Sequence, residues 1–274
     1  MRKILIFSCL ALFFACNRSE QAAQMQLEQA RNLYENGQFN AAKQSLDELK
    51  SNYPKAYNTQ KEALTLMRQI ELKEQERNLL FCDSLLPVRQ KEAGILKKKF
   101  IFEKTEYDSY GRYIDKALNF NPESNNNYLQ TTVNETGEIT LTSVYCSTQA
   151  LQHNQVKVSI ASGEYVETQA IPYDGGLNYR FKDTFGVWRE SVAFSNGRDN
   201  GAIAFIYQYA AAKISLQYLG GSSQPVRILS EKEKKSLTGA CDLASILSEI
   251  NQLQQEKAKA EKRIAYLHSK LEKL

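Results

Sequence analysis

The sequence predicts an α+β protein with an N-terminal helical hairpin or bundle, an antiparallel β-sandwich-like module and a long C-terminal coiled-coil helix. Apolar residues recur at helical spacing over about 20–98 and again from 246 onward. Between about 100 and 229 they alternate with polar residues, as in half-buried strands. The predicted divisions are a leader at 1–15, a helical stalk at 16–99, the β-module at 100–229 and C-terminal helices at 230–274.

The composition is that of a folded protein. The chain has 274 residues, of which 42% are hydrophobic and 24% charged, with only 13 Gly and 5 Pro. Its formal net charge is +4, and the lysines at 97–99 form the only dense basic run. A basic surface that would bind nucleic acid is therefore not expected.

The first residues have the features of a targeting segment. Two basic residues precede an uncharged, mostly apolar run from Ile4 to Ala15, which is too short to span a bilayer as a helix of about 20 residues. Residues 13–16, Phe-Phe-Ala-Cys, resemble the end of a bacterial lipoprotein signal. That resemblance implies cleavage after Ala15 and lipidation of Cys16, hence attachment to a membrane through acyl chains. A plain cleaved signal and an uncleaved anchor are the alternatives.

The stalk begins with a repeat-like pattern. The pattern consists of Ala30, Leu33, Gly37, Phe39, Ala42, Leu46, Leu49 and Pro54. This spacing resembles the tetratricopeptide repeat, in which a small residue lets two antiparallel helices approach, Gly opens the turn and Pro follows the second helix. A single repeat cannot bury its own apolar face, so a further helix must cover it. We expect Pro87 to break or kink the following long helix near Leu86.

Four alternating runs and the turn signals between them define the predicted β-module. The runs are Ile139, Leu141 and Tyr145; Val156, Val158 and Ile160; Trp188, Val192 and Phe194; and Ile214, Leu216 and Tyr218. The segment 134–137, Asn-Glu-Thr-Gly, predicts a hairpin with Gly137 in the left-handed conformation. About eight or nine short strands without a helical pattern between them indicate an antiparallel sandwich or barrel-like sheet.

The C-terminal region is predicted to be helical. Ser230 and Glu233 have the spacing of a capping box, and Gly239 is expected to end that helix. A heptad seam then runs toward the last residue. It consists of Ile246, Ile250, Leu253, Ile264, Leu267 and Leu271, with Lys257 and Ala260 between its halves. We expect this helix to pair with the N-terminal bundle, and the alternative is a partner-binding seam in a homodimer or a heteromeric coiled coil.

Motifs for catalysis, metal binding or cofactor binding are not found in the sequence. It has no Gly-x-Ser-x-Gly, His-Glu-x-x-His, Walker or Gly-x-Gly-x-x-Gly motif. His153 and His268 have no obvious serine, cysteine or carboxylate partner, so we expect structural or solvated roles. Catalytic residues, metal ligands and cofactors are therefore not predicted. Cys82, Cys146 and Cys241 are expected to be small buried side chains, or to form one disulfide.

The β-module is rich in tyrosine, for which there are two explanations. Tyr107, Tyr110 and Tyr113 lie three residues apart and would form a glycan-stacking surface if exposed, although tyrosines are also common in strands with the ring buried. The overall arrangement resembles envelope lipoproteins of Bacteroidota with one tetratricopeptide-like hairpin. The lipidation signal, the repeat-like hairpin and the absence of catalytic motifs lead us to expect a non-enzymatic scaffold or adaptor bound to another envelope protein. Asn17 after Cys16 resembles lipoproteins sorted to the outer membrane, and the lack of an acidic run after it resembles those that face the periplasm. A glycan-binding lipoprotein is the alternative, and a hydrolase built on paired carboxylates ranks third.

Overall fold

The computed structural model describes the backbone of residues 4–118, 126–221 and 223–272, and side chains from residue 19 onward within those ranges. In this part of the chain the helices are α1 (Ile4–Glu35), α2 (Phe39–Asn52), α3 (Tyr57–Lys97), α4 (Ala202–Gln208) and α5 (Glu231–Leu271). The strands are β1 (Phe100–Glu103), β2 (Arg112–Asp115), β3 (Tyr128–Asn134), β4 (Ile139–Ser147), β5 (Gln155–Ser159), β6 (Tyr165–Glu167), β7 (Asn178–Lys182), β8 (Trp188–Phe194), β9 (Ser215–Leu219) and β10 (Val226–Ile228). The α+β prediction is confirmed.

The chain forms two compact units. Met1–Leu85 and Leu253–Leu274 make up the first, called the helical unit below. Leu86–Gln252 makes up the second, called the β-unit. The boundaries fall inside α3 and α5, because each of these helices contributes one end to each unit.

The helical unit contains the predicted hairpin. Its turn is closed by two backbone bonds, from Gly37 N–H to the Tyr34 carbonyl and from Gln38 N–H to the Leu33 carbonyl, each 2.9 Å long. Gly37 has φ of +73°, the left-handed conformation that ends many helices. The apolar residues of α1 and α2 are covered by α3, which completes a three-helix core. This core includes Ala30, Ala42, Leu46, Leu49, Ala63, Leu66 and Ile70.

Pro87 was expected to break or kink the helix. The break is wrong, because α3 continues through Pro87 to Lys97, and a kink there stays a prediction. A proline inside a helix removes one backbone hydrogen bond and costs about 3 kcal/mol. Packing on either side offsets that cost. In the helical unit Cys82 is buried, and in the β-unit Ala93 is buried in one apolar cluster with Ala240 and Leu243 of α5.

The last helix, α5, pairs with α3 inside the chain, as expected from the seam. In the helical unit Lys257 binds Asp83 with Nζ 2.5 Å from Oδ1, and Arg263 binds Glu71. In the β-unit Arg89 binds Glu249 at 3.0 Å. As the residue number rises along α5, the number of the partner residue on α3 falls, so the two helices are antiparallel.

The start of α5 confirms the capping box and also fixes the helix to the sheet. Ser230 N–H and Oγ each donate to the Glu233 carboxylate at 2.8 Å, and Glu233 N–H donates back to Ser230 Oγ at 3.3 Å. The same carboxylate accepts the backbone N–H of Leu129 on β3 and two bonds from Arg227 on β10. The expected helix end at Gly239 is wrong, because α5 continues to Leu271.

The β-unit contains two antiparallel sheets that share one apolar core. Their strand orders are β1-β2-β3-β4-β8-β7 and β10-β9-β5-β6. Leu141 and Phe194 from the first sheet pack with Val158 and Leu216 from the second. The hairpin predicted at 134–137 joins β3 to β4, with Gly137 at φ +92°.

Helix α4 contradicts the expectation that no helix interrupts the strands. Its sequence, AIAFIYQ, is a short apolar run, which hydrophobic periodicity cannot distinguish from a buried strand. Ala202, Phe205 and Ile206 are buried in the shared core. Asp199 Oδ2 accepts the N–H groups of Gly201 and Ile203 at the start of this helix.

Candidate functional site

The side of the six-stranded sheet that faces away from the shared core forms an open depression of 620 Å³. Volumes of about 300–1,000 Å³ are usual for small-molecule sites. We call this surface the open face. It is lined by Ile114 and Arg112 of β2, Tyr128, Gln130, Thr132 and Asn134 of β3, Thr140, Thr142 and Val144 of β4, Tyr179 and Phe181 of β7, and Arg189, Ser191 and Ala193 of β8.

Strand register places these side chains in rows across the sheet. One row pairs Thr132 with Thr140, and the next pairs Gln130 with Thr142. Successive rows lie about 7 Å apart along the strands, because side chains on one face repeat every second residue. The centre of the open face is therefore a ladder of hydroxyl and amide groups that can donate and accept hydrogen bonds.

Aromatic rings occupy one end of the open face. Tyr128, Val144, Ser191 and Tyr179 lie in one row across β3, β4, β8 and β7. Three strand spacings of about 4.8 Å separate the two tyrosines by roughly 14 Å. Phe181 stacks beside Tyr179, with ring centroids 6.5 Å apart and planes at 5°. Rings at both ends of one row, above a floor of small side chains, make a surface suited to a flat ligand.

The charges on the open face are balanced. Its lining contains two acidic side chains, Glu103 and Glu138, and two basic ones, Arg112 and Arg189. Arg112 Nη2 lies 3.1 Å from Glu103 Oε2, and Glu138 accepts a hydrogen bond from Asn134. Burial raises the pKa of the Tyr128 hydroxyl more than nearby Arg189 lowers it, so this phenol is neutral and able to donate. The open face therefore suits a neutral polar ligand.

The three tyrosines predicted to bind glycans do not share one surface. Tyr107 and Tyr110 lie in the segment between β1 and β2 and are 89% and 56% exposed. Tyr113 is only 9% exposed and packs with Phe100 and Val133 in the core beneath the sheet. Tyr113 therefore cannot stack on a sugar together with the other two.

The predicted partner-binding seam is partly covered within the chain. Leu253 and Leu267 are buried in the helical unit. Ile246 and Ile250 pack against a buried apolar cluster of the β-unit, while Ile264 and Leu271 are half-buried. A partner would have to displace the side chains that cover Leu253 and Leu267, so a homodimer through this helix stays a prediction.

The leader at 1–15 and the lipidation site at Cys16 lie outside the residues whose side chains are described. Within the described residues, no helix has both the length and the apolar character needed to cross a membrane. The described cysteines Cys82, Cys146 and Cys241 are free thiols, and of the three only Cys82 is buried as expected, because Cys146 and Cys241 are half-buried.

His153 has the structural role expected of it, with a serine and a carboxylate partner that the sequence did not reveal. His153 Nδ1 lies 2.9 Å from Glu190 Oε2, and its Nε2 lies 3.3 Å from Ser143 Oγ. Glu190 also accepts the backbone N–H groups of Gln152 and His153 at 2.7 and 2.8 Å. Burial alone would raise the pKa of Glu190, but these hydrogen bonds lower it below its ordinary value. Glu190 is therefore an ionised carboxylate inside the protein.

Ser143, His153 and Glu190 are hydrogen-bonded in the order of a serine-hydrolase triad, but they do not lie where a substrate could bind. Ser143 is 0% exposed, and His153 and Glu190 are each 1% exposed. Ser143 lies within regular strand pairing on β4, so its hydroxyl points into the shared core, where a substrate cannot reach it. The group serves to hold the segment before β5 against β8.

Strand alternation contained the signal for both the open face and this buried group. Ser143 has the same parity as Leu141 and Tyr145, and Glu190 the same as Val192, so both must point inward. The opposite parity gives the open-face positions of β4 and β8.

Comparisons with known proteins return no relative of this chain, since no family, curated protein or solved structure matches it. The site must therefore be interpreted from its own geometry.

Proposed function

We propose that this protein is a lipid-anchored envelope protein whose β-unit binds a glycan on the open face. One observation supports this more than any other: a depression that combines a hydroxyl and amide ladder with aromatic rings and balanced charge. Sugars present hydroxyl groups at their edges and C–H groups on their faces. The ladder complements the edges, and the rings of Tyr128, Tyr179 and Phe181 complement the faces.

The anchor in this proposal is the acylated Cys16. It is tested by comparing the intact mass and membrane fraction of the wild-type protein with those of Cys16→Ala. Acylation predicts a mass increase from attached lipid and membrane retention, both lost in the variant. An unmodified, soluble wild-type protein contradicts the anchor without affecting the β-unit.

Glycan binding is tested by screening a panel of oligosaccharides and then measuring affinity by calorimetry. Tyr179→Ala should weaken binding about tenfold, because it removes one stacking ring. Tyr165→Ala is the matched control, because this exposed tyrosine lies on β6 of the other sheet. Tyr107→Ala tests the exposed segment between β1 and β2 separately. Equal losses in Tyr179→Ala and Tyr165→Ala, or no binding to any glycan, contradict the proposal.

An adaptor role is the second candidate. The observation in its favour is a pair of exposed apolar side chains on α3, Leu80 and Phe81, in the helical unit. Crosslinking in native membranes, with the wild-type protein and with Leu80→Ser/Phe81→Ser, tests it. A single envelope protein captured by the wild type and lost in the variant supports the adaptor.

A further inference from the structure

The part of α1 around Glu20 is tied to the first turn of α3. Glu20 Oε1 accepts hydrogen bonds from Thr59 N–H at 3.1 Å and from Thr59 Oγ1 at 2.8 Å. Thr59 is buried, and Ala23 and Leu27 of α1 are also buried in the core of the helical unit. From Glu20 onward, α1 is thus packed in the helical unit.

This tie limits how far the turn can lie from a membrane. The argument rests on the acylation of Cys16 in the proposed function. Three residues lie between Cys16 and Glu20, so four residue steps join them. Four steps span about 6 Å as a helix and at most about 14 Å when fully extended. The residues beside Glu20, which are those around Thr59, must therefore lie close to the lipid headgroups.

The side chains at this end of the helical unit are basic and exposed. Lys55 lies in the turn itself, Lys50 in the last turn of α2 and Lys61 in the second turn of α3. All three are exposed, and none forms an ion pair with another described residue. Tyr57, at the first position of α3, is 76% exposed.

Two carboxylates lie at the same end without a cationic partner among the described ion pairs. Glu20 accepts its two bonds from the neutral groups of Thr59, and Asp47 lines the same depression as Lys50 and Lys61. Glu62 is paired with Arg31 at 2.8 Å. The three lysines outnumber Glu20 and Asp47, so this end of the unit carries a net positive charge.

We propose that Lys50, Lys55, Tyr57 and Lys61 form a docking surface for anionic phospholipid headgroups. We call it the basic turn. Lysines within about one Debye length, roughly 8 Å at physiological salt, are attracted to an anionic leaflet. An exposed tyrosine is favoured at a membrane interface because its ring is apolar and its hydroxyl polar. The acyl chains hold the protein on the membrane, and the basic turn sets which surface of the helical unit faces it.

The test uses vesicle sedimentation of the mature chain from residue 16 carrying Cys16→Ser, because acyl chains would hold every variant on the membrane. Vesicles contain phosphatidylcholine alone or phosphatidylcholine with phosphatidylglycerol. Binding is expected only with phosphatidylglycerol, and it should weaken as salt is added. Reversal of the three lysines to Glu should reduce binding about a hundredfold. Circular dichroism checks that each variant is folded.

The matched control reverses three exposed lysines of the β-unit, Lys213, Lys232 and Lys235, which changes the net charge by the same amount. Binding of this control should stay within about twofold of the parent chain. Equal losses in the two triple variants, or equal binding to neutral and anionic vesicles, overturn the basic turn. Because the chain is unacylated, this result is independent of whether Cys16 carries lipid.

A second measurement uses the acylated wild-type protein reconstituted into the same two kinds of vesicle. Tryptic cleavage after Lys55 should slow when phosphatidylglycerol is present, while cleavage after Lys213 should not change. Cleavage after Lys55 at the same rate in both vesicles overturns the proposal.

Discussion

Replacing Glu190 by Gln tests how much the buried carboxylate stabilises the β-unit. The carboxylate accepts three hydrogen bonds, one from the His153 ring and two from backbone N–H groups, at 2.7 to 2.9 Å. An amide offers one acceptor oxygen. When that oxygen faces His153, the new NH₂ group faces the N–H of Gln152, so one bond to a charged acceptor is lost and the others become neutral.

The expected loss follows from these contacts. A hydrogen bond to a charged group contributes about 1.5–3 kcal/mol, and a buried donor left without a partner costs about 1–3 kcal/mol. Glu190→Gln should therefore lower the free energy of unfolding by about 3 kcal/mol. The matched control is Glu167→Gln, because Glu167 forms an ion pair with Lys157 at 3.4 Å on the protein surface. Such exposed pairs contribute below about 1 kcal/mol.

The assay is urea unfolding followed by tryptophan fluorescence. The chain has 1 Trp, and Trp188 lies on β8 two residues from Glu190, so its signal reports the β-unit. Folding lowers the pKa of Glu190 below its unfolded value of about 4.3. The ionised carboxylate therefore contributes its full stabilisation of the β-unit above about pH 4.3, and this contribution is lost as the pH falls through the pKa of Glu190 in the folded protein. The difference between wild type and Glu190→Gln should therefore shrink on acidification. A variant as stable as wild type at neutral pH, or a deficit unchanged in acid, refutes the reasoning.

Two further substitutions test the packing of α5. Leu267→Ala should lower the free energy of unfolding by about 2–5 kcal/mol, because Leu267 is fully buried, whereas Tyr266→Ala beside it should have a small effect. Thermal unfolding followed by circular dichroism measures both variants. Equal shifts of the unfolding temperature would contradict the packing of α5 in the helical unit. Gly137→Ala should destabilise the β-unit more than Gly163→Ala by at least about 1 kcal/mol in urea unfolding. Both glycines have positive φ, but a Cβ at 137 would lie 2.5 Å from the backbone nitrogen of Ser248, whereas a Cβ at 163 would meet open space. Equal losses of stability in the two variants would show that φ alone accounts for the effect.

Local patterns predicted those elements whose residues act within a few positions of one another. The turn at Gly37, the capping box at Ser230 and Glu233, and the hairpin at Gly137 all depend on near neighbours, and the structure confirms them. Pro87 and Gly239 were predicted from local rules that packing overrides. Each lies in a helix of 41 residues whose partner helix runs beside it, and that packing outweighs one lost hydrogen bond or one flexible residue.

The candidate site was predicted less well than the fold. Tyr113 was grouped with Tyr107 and Tyr110 because of sequence spacing, yet it lies on a strand whose alternate residues face the core. The residues of the open face come from strands distant in sequence, such as β3 and β7. Only the strand order shows that Tyr128 and Tyr179 share a row.

The sequence by itself determined the α+β class, the hairpin turn, the strand alternation and the seam of α5, because each depends on periodicity or on residues close in the chain. Only the tertiary structure decided that Ser143, His153 and Glu190 meet in the core, that the open face joins residues of six strands, and that Glu20 binds Thr59 in the first turn of α3. The physical reason is that these features depend on which segments pair across the fold. Strand order and helix packing set that pairing, and a local pattern does not record it.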